Sequence, residues 1–291
     1  MDRLGLVSLG SSADRSSADF RRARRQAFFN RVRQVLSGRR ERLLPFDEVR
    51  EKLHLGGPVY RGLQTVRLDQ IVGSVNRYLD FDHLFLPTQS HTGDRWVRVN
   101  RAWYEEIDLP PVMLYKVGDV YFVVDGNHRV SVARDRGQEF IEAEVREVES
   151  RVPVTADIQP DDLELLGERV DFLERTQLDR LFPETAIRPT VLGGYERLLE
   201  HIAVHRYFMG IDQSRPITEE EAVRHWYETL YLPVVDVVRQ AEIMEELPGR
   251  TETDFYLWTM DHLHFLKSQE SGAPADPGEA AQGLIAAIRE D

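Results

Sequence analysis

Asp125, Gly126, Asn127, His128 and Arg129 follow one another after an apolar run that ends in Val123-Val124. If the chain turns there from a strand into a helix, the row can hold a phosphate. Gly126 lets the backbone approach an anion closely. The amides of Asn127, His128 and Arg129 are then free donors at a helix start, where the dipole favours negative charge. His128 and Arg129 add charge-assisted donors, and Ser131 lies on the first turn, within reach of phosphate or metal. The competing reading is a hairpin: Asp-Gly is a favoured turn, and Val130 and Val132 alternate like a strand. Pattern alone leaves both open.

Two other groups have chemical potential. The stretch "VNRYLDFDHLFLP", 75–87, brings Arg77, Asp80, Asp82 and His83 together. Arg77 can join a phosphate site, and Asp80 and Asp82 can hold Mg²⁺ through one or two carboxylates; as a plain loop, the same residues are solvated or cap helices. Arg21, Arg22, Arg24, Arg25, Arg31 and Arg33 form a basic segment. They bind nucleic acid or neutralise the chain's own acidic body. His201 and His205 are four apart but lack a companion ligand motif, so a structural role is expected. The same holds for His262 and His264, and the aromatics Trp226, Tyr227, Tyr231, Phe255, Tyr256 and Trp258 read as core.

The elements that must position these groups follow from pattern. The chain has 291 residues and a net charge of −13. Positions 1–57 hold 13 basic and 7 acidic residues, so a basic end joins an acidic body. There is no cysteine, which excludes disulfides and thiolate sites. No signal segment and no run of about 18 apolar residues is visible, so a cytoplasmic protein without a membrane contact is expected. Residues 1–57 read as a basic helical arm, with Phe28, Val32, Val35 and Leu36 as its apolar face and a break near Ser37-Gly38. Residues 58–150 read as mixed α/β, with strands on both sides of Val117-Gly118-Asp119 and another over 139–149. Residues 151–269 are helical, with capping pairs Thr218/Glu221 and Thr251/Asp254 and a break or kink at Pro233. Residues 270–291 are a linker and a short helix. The fold class is α+β.

The order in "LPPVMLYKVGDVYFVVDGNHRVSVARDRGQEFIEAEVREV" resembles the N-terminal domain of the ParB and sulfiredoxin superfamily. The likeness covers about 59–149 and favours strand–loop–helix over the hairpin. It implies that Gly126, Asn127, His128 and Arg129 bind nucleotide phosphates, of ATP or CTP. Asn127 stands where sulfiredoxin has its cysteine, which excludes that chemistry. The box is most similar to the Asp-Gly-His-His-Arg of free-serine kinases and keeps Asp125, Gly126, His128 and Arg129. That similarity implies Mg²⁺-dependent phosphotransfer or nucleotide hydrolysis, with Asp125 and His128 catalytic. The kinases' glutamate after the first strand has no counterpart between Thr65 and Pro87. The alternative is a non-catalytic ParB-like regulator that binds DNA or RNA through the basic arm. A nuclease has no separate metal cluster to support it. The acceptor substrate and the oligomeric state, a homodimer included, stay open.

Overall fold

The computed structural model describes residues 11–37, 42–269 and 276–290. The chain divides into two compact units, Met1–Leu163 and Glu164–Asp291. The first is α+β and the second is helical. The expected segments 1–57 and 58–150 therefore belong to the same unit. All of the net charge lies in the second unit, with 12 basic and 25 acidic residues.

In the first unit a long helix, α1 (Ser12–Ser37), precedes a two-residue strand β1 (Leu44–Pro45) and α2 (Phe46–Lys52). Next come β2 (Val59–Arg67), β3 (Ile71–Ser74), α3 (Gly93–Tyr104), β4 (Val112–Val117), β5 (Val120–Asp125), α4 (Asn127–Asp135) and β6 (Phe140–Val148). The six strands form one mixed sheet in the order β1-β3-β5-β4-β6-β2. β5 pairs parallel with β3 and antiparallel with β4, so the strand that leads into α4 is internal. Residues Val120 to Val123 are buried on both faces, which explains the continuous apolar run. One face of the sheet packs on Phe81, Phe85, Val130 and Ala133. The other receives Phe46 of α2, 4.9 Å from the Tyr115 ring and 5.4 Å from Phe122.

α1 is no detached arm. Ala23 and Ala27 are buried against Trp96 and Val132, with Phe20 alongside. Asp19 accepts from Asn100, Tyr104 and Arg136. The helix is therefore oriented opposite to expectation: its alanines face the protein, while Phe28 and Val32 are 64 % and 47 % exposed. Small residues let two helix axes come close, and this contact outweighs the burial that the larger side chains offer. The break expected at Ser37-Gly38 meets the end of α1 at Ser37; Gly38 lies outside the described residues.

α4 ends in a glycine cap. Gly137 has φ +71, its amide donates to Arg134, and that of Gln138 donates to Ala133. These two bonds close the helix in a left-handed cap that glycine favours.

The second unit holds α5 (Pro160–Thr176) from Glu164 on, α6 (Leu178–Leu181), α7 (Gly194–Asp212), α8 (Glu219–Trp226), α9 (Leu232–Gln240), α10 (Glu252–Gln269) and α11 (Pro277–Glu290). Its centre is aromatic, as expected: Trp226 Nε1 donates to Tyr256 Oη at 2.9 Å, and both are fully buried. Thr218 and Glu221 form a reciprocal capping box, and Thr251 and Asp254 do the same at α10. Pro233 neither breaks nor stops the helix. A π turn over Tyr227–Tyr231 joins α8 to α9, with the proline in the first turn of α9. Proline has no N–H to give to Thr229, and the wider turn removes the need for that bond. Among the described residues, no helix is long and apolar enough to cross a membrane.

Candidate anion site at the start of α4

β5 delivers the chain to Gly126, whose φ of +103 and ψ of 22 lie outside the range of ordinary side chains. A Cβ there would stand 2.6 Å from Val112 Cγ1 and 3.0 Å from the Arg129 guanidinium. Glycine is thus required twice, for backbone angle and for space. The first helical bond runs from the Val130 amide to the Gly126 carbonyl, at 3.0 Å. The amides of Asn127, His128 and Arg129 precede it and find no acceptor among the described residues. Asn127 and His128 are 6 % and 4 % exposed, and Asn127 Oδ1 and His128 Nδ1 have no partner within the chain.

The His128 ring stands edge-on to Phe81 at 5.4 Å. Burial, followed by the positive charges of Arg95 and Arg77 and then of Arg98, drives its pKa down to about 4, against a weaker upward pull from Asp80. The ring is neutral near pH 7. This corrects the expectation of a cationic donor: His128 offers a ligand a donor or an acceptor, but no charge.

Arg129 is also used differently. One of its terminal nitrogens donates to the carbonyls of Pro110 and Pro111, the other to Asp125 Oδ2 at 2.6 Å. The guanidinium ties the Leu109-Pro110-Pro111 lead-in to the loop. Ser131 is fully buried, and its Oγ accepts from Trp96 Nε1 at 2.9 Å. It fixes α4 against α3.

The loop 75–87 does lie beside the box, as expected, but its two aspartates are not a metal pair. Asp82 is buried, and its Oδ1 accepts from the amides of Leu84 and Leu86 at 3.0 and 2.8 Å. Burial raises its pKa. It closes a turn. Asp80 lies between Arg77, at 2.9 Å, and His91, at 3.2 Å. Asp80 already meets Arg77 and His91, and Asp82 gives one oxygen to two amides within a closed turn, an arrangement that does not fit an open Mg²⁺ site.

Two residues were missed by the sequence reading. Arg95 and Arg98 are exposed, three apart on α3, and within electrostatic reach of His128. Arg95 has no ion pair or hydrogen bond among the described residues; Arg98 reaches only the Asp94 carbonyl, at 3.4 Å. The available signal was the polar half of the 3–4 periodicity over 93–104. The cations that act on His128 are thus Arg77, Arg95 and Arg98.

The basic segment divides. Arg22 pairs with Asp19 and Asp135, Arg24 lies over the Phe20 ring, and Arg31 has a partner in the chain. Arg21, Arg25 and Arg33 have none among the described residues. In the second unit, His201 packs edge-on to Tyr256, while His205 Nε2 meets His225 Nδ1 at 2.8 Å. The two histidines have separate structural partners. The chain matches no family model, no curated protein and no solved structure.

Proposed function

We propose that the start of α4 binds the phosphate groups of a nucleotide, ATP or CTP. The observation that carries this reading is the set of unpaired donors at the turn: the three successive amides of Asn127, His128 and Arg129. Leaving such a group unpaired costs about 1–3 kcal/mol, which favours a ligand that completes them. Arg77, Arg95 and Arg98 supply the positive field, and the helix dipole adds to it. The resemblance to the ParB and sulfiredoxin superfamily points the same way.

Calorimetry with ATP, CTP and pyrophosphate, with and without Mg²⁺, tests the reading. Binding is expected to weaken about 10- to 100-fold in Arg95→Ala/Arg98→Ala, since a hydrogen bond to a charged group contributes about 1.5–3 kcal/mol. Absence of heat with every one of these ligands refutes it.

Phosphotransfer is the narrower proposal, and it rests on Asp125. Its carboxylate is 55 % exposed at the rim of the loop, open to an acceptor hydroxyl. Acting as a base requires its ion pair with Arg129 to open. Asp80 and Asp82 take no part in such a step. Loss of turnover in Asp125→Asn with nucleotide binding intact supports catalysis; equal turnover in the variant removes it.

A further inference from the structure

The outer side of α1 has a composition that the site at α4 does not use. Seen down the helix, Ser16, Asp19, Ala23 and Ala27 line the packed side, all at most 8 % exposed. On the opposite side, Arg21, Arg25, Phe28 and Val32 follow at i, i+4, i+7 and i+11, and so form one line along the helix. Phe29 and Arg33 flank that line. Phe28, Phe29 and Val32 are 64 %, 56 % and 47 % exposed, and the two phenyl rings meet edge-on with centroids 5.8 Å apart. Arg21, Arg25 and Arg33 are without partners among the described residues. The helix carries seven arginines against two aspartates. A groove of about 370 Å³ runs along its flank between Arg22, Arg25, Phe29 and Arg33.

We infer that this face binds single-stranded nucleic acid. The inference stands apart from the nucleotide reading. Free guanidiniums match backbone phosphates, and exposed phenyl faces match unpaired bases, which can stack on them. The two kinds of group share one stripe: Arg21 and Arg25 are about 6 Å apart along the axis, and Phe28 comes half a turn to a turn later. A helix that lies in a membrane surface separates its cationic and apolar sides, and this one interleaves them. Duplex nucleic acid keeps its bases stacked inside, so the phenyl rings gain nothing from it. The acidic second unit repels polyanions at long range. Contact therefore depends on these short-range groups and on low ionic strength.

The test uses the full chain and fluorescein-labelled oligo-dT and oligo-U, read by anisotropy, beside a duplex of equal length and phosphatidylserine vesicles. Three phosphate contacts give a salt slope of about −2 for a single strand. Affinity is then expected to fall about 20-fold between 50 and 200 mM salt. Phe28→Ala/Phe29→Ala is expected to weaken binding about 10-fold or more with the salt slope unchanged. Arg21→Gln/Arg25→Gln is expected to reduce the slope by about 1.4. All four side chains project outward, so the variants keep the wild-type melting temperature, and Arg25→Lys preserves most of the binding. No anisotropy change at low salt overturns the inference. So does binding to the duplex as tight as to the strand, or to vesicles in place of the strand.

Discussion

His128 makes the stability of the first unit depend on pH in a calculable way. In the unfolded chain its pKa is near the ordinary 6.5; in the folded chain, burial and the neighbouring arginines hold it at about 4. Above pH 7 the ring is neutral in both states and contributes nothing. As pH falls through 6.5, the unfolded ring takes a proton that the folded ring refuses, so stability drops until about pH 4 and then levels off. The two pKa values give a loss of about 0.8 kcal/mol at pH 6 and about 2 kcal/mol at pH 5. Residue exposure of 4 % leaves little solvent screening to reduce this. Urea unfolding of wild type and His128→Asn between pH 7.5 and 4.5 isolates the effect, because His201 and His205, also lowered by burial, titrate equally in both proteins. The wild type is expected to lose about 2 kcal/mol more than the variant by pH 5. The imidazole proton resonance, followed by NMR, should titrate near pH 4 and shift upward when pyrophosphate is added. A midpoint of 6 or above, or identical pH profiles for the two proteins, refutes the reasoning.

Gly126→Ala places a side chain at positive φ, at about 1–2 kcal/mol, and overlaps Val112, at about 1–3 kcal/mol more. Denaturant melts should show the sum, and adding Val112→Ala should recover the second part only. Trp96→Phe strands the buried Ser131 hydroxyl and is expected to cost about 1–3 kcal/mol; in the double-mutant cycle with Ser131→Ala, the pair should lose clearly less than the two single changes added.

The frame of the first unit was legible because its signals are local. Val130 and Ala133, three apart on α4, face the sheet and are both nearly unexposed. Gly137 caps α4, and in the second unit both threonine capping pairs are in place. The polar side chains were harder to assign, since their partners are distant in sequence. Ser131 meets Trp96, 35 positions away, and Arg129 meets carbonyls 18 and 19 positions back. Asp82 is an exception: its bonds to the amides two and four residues on are a local turn signal that its carboxylate chemistry obscured. For α1, size misled. Phenylalanine and valine look like a buried face, yet the alanines make the closer contact, and only the neighbouring helix reveals which line is wanted.

The wide turn at Tyr227–Tyr231 amounts to one extra residue carried inside a continuous helix. Such an insertion advances the helical phase by about 100°. Val234, Val235 and Val238 are buried only because that advance has been made. Removing Thr229 would restore an ordinary α-helix in the local backbone, rotate every later residue of α9 by that angle, and turn its valine face away from the core. The proline thus marks a point at which the second unit has set its phase, and shortening the chain there should disrupt it more than substituting any single exposed residue of the turn.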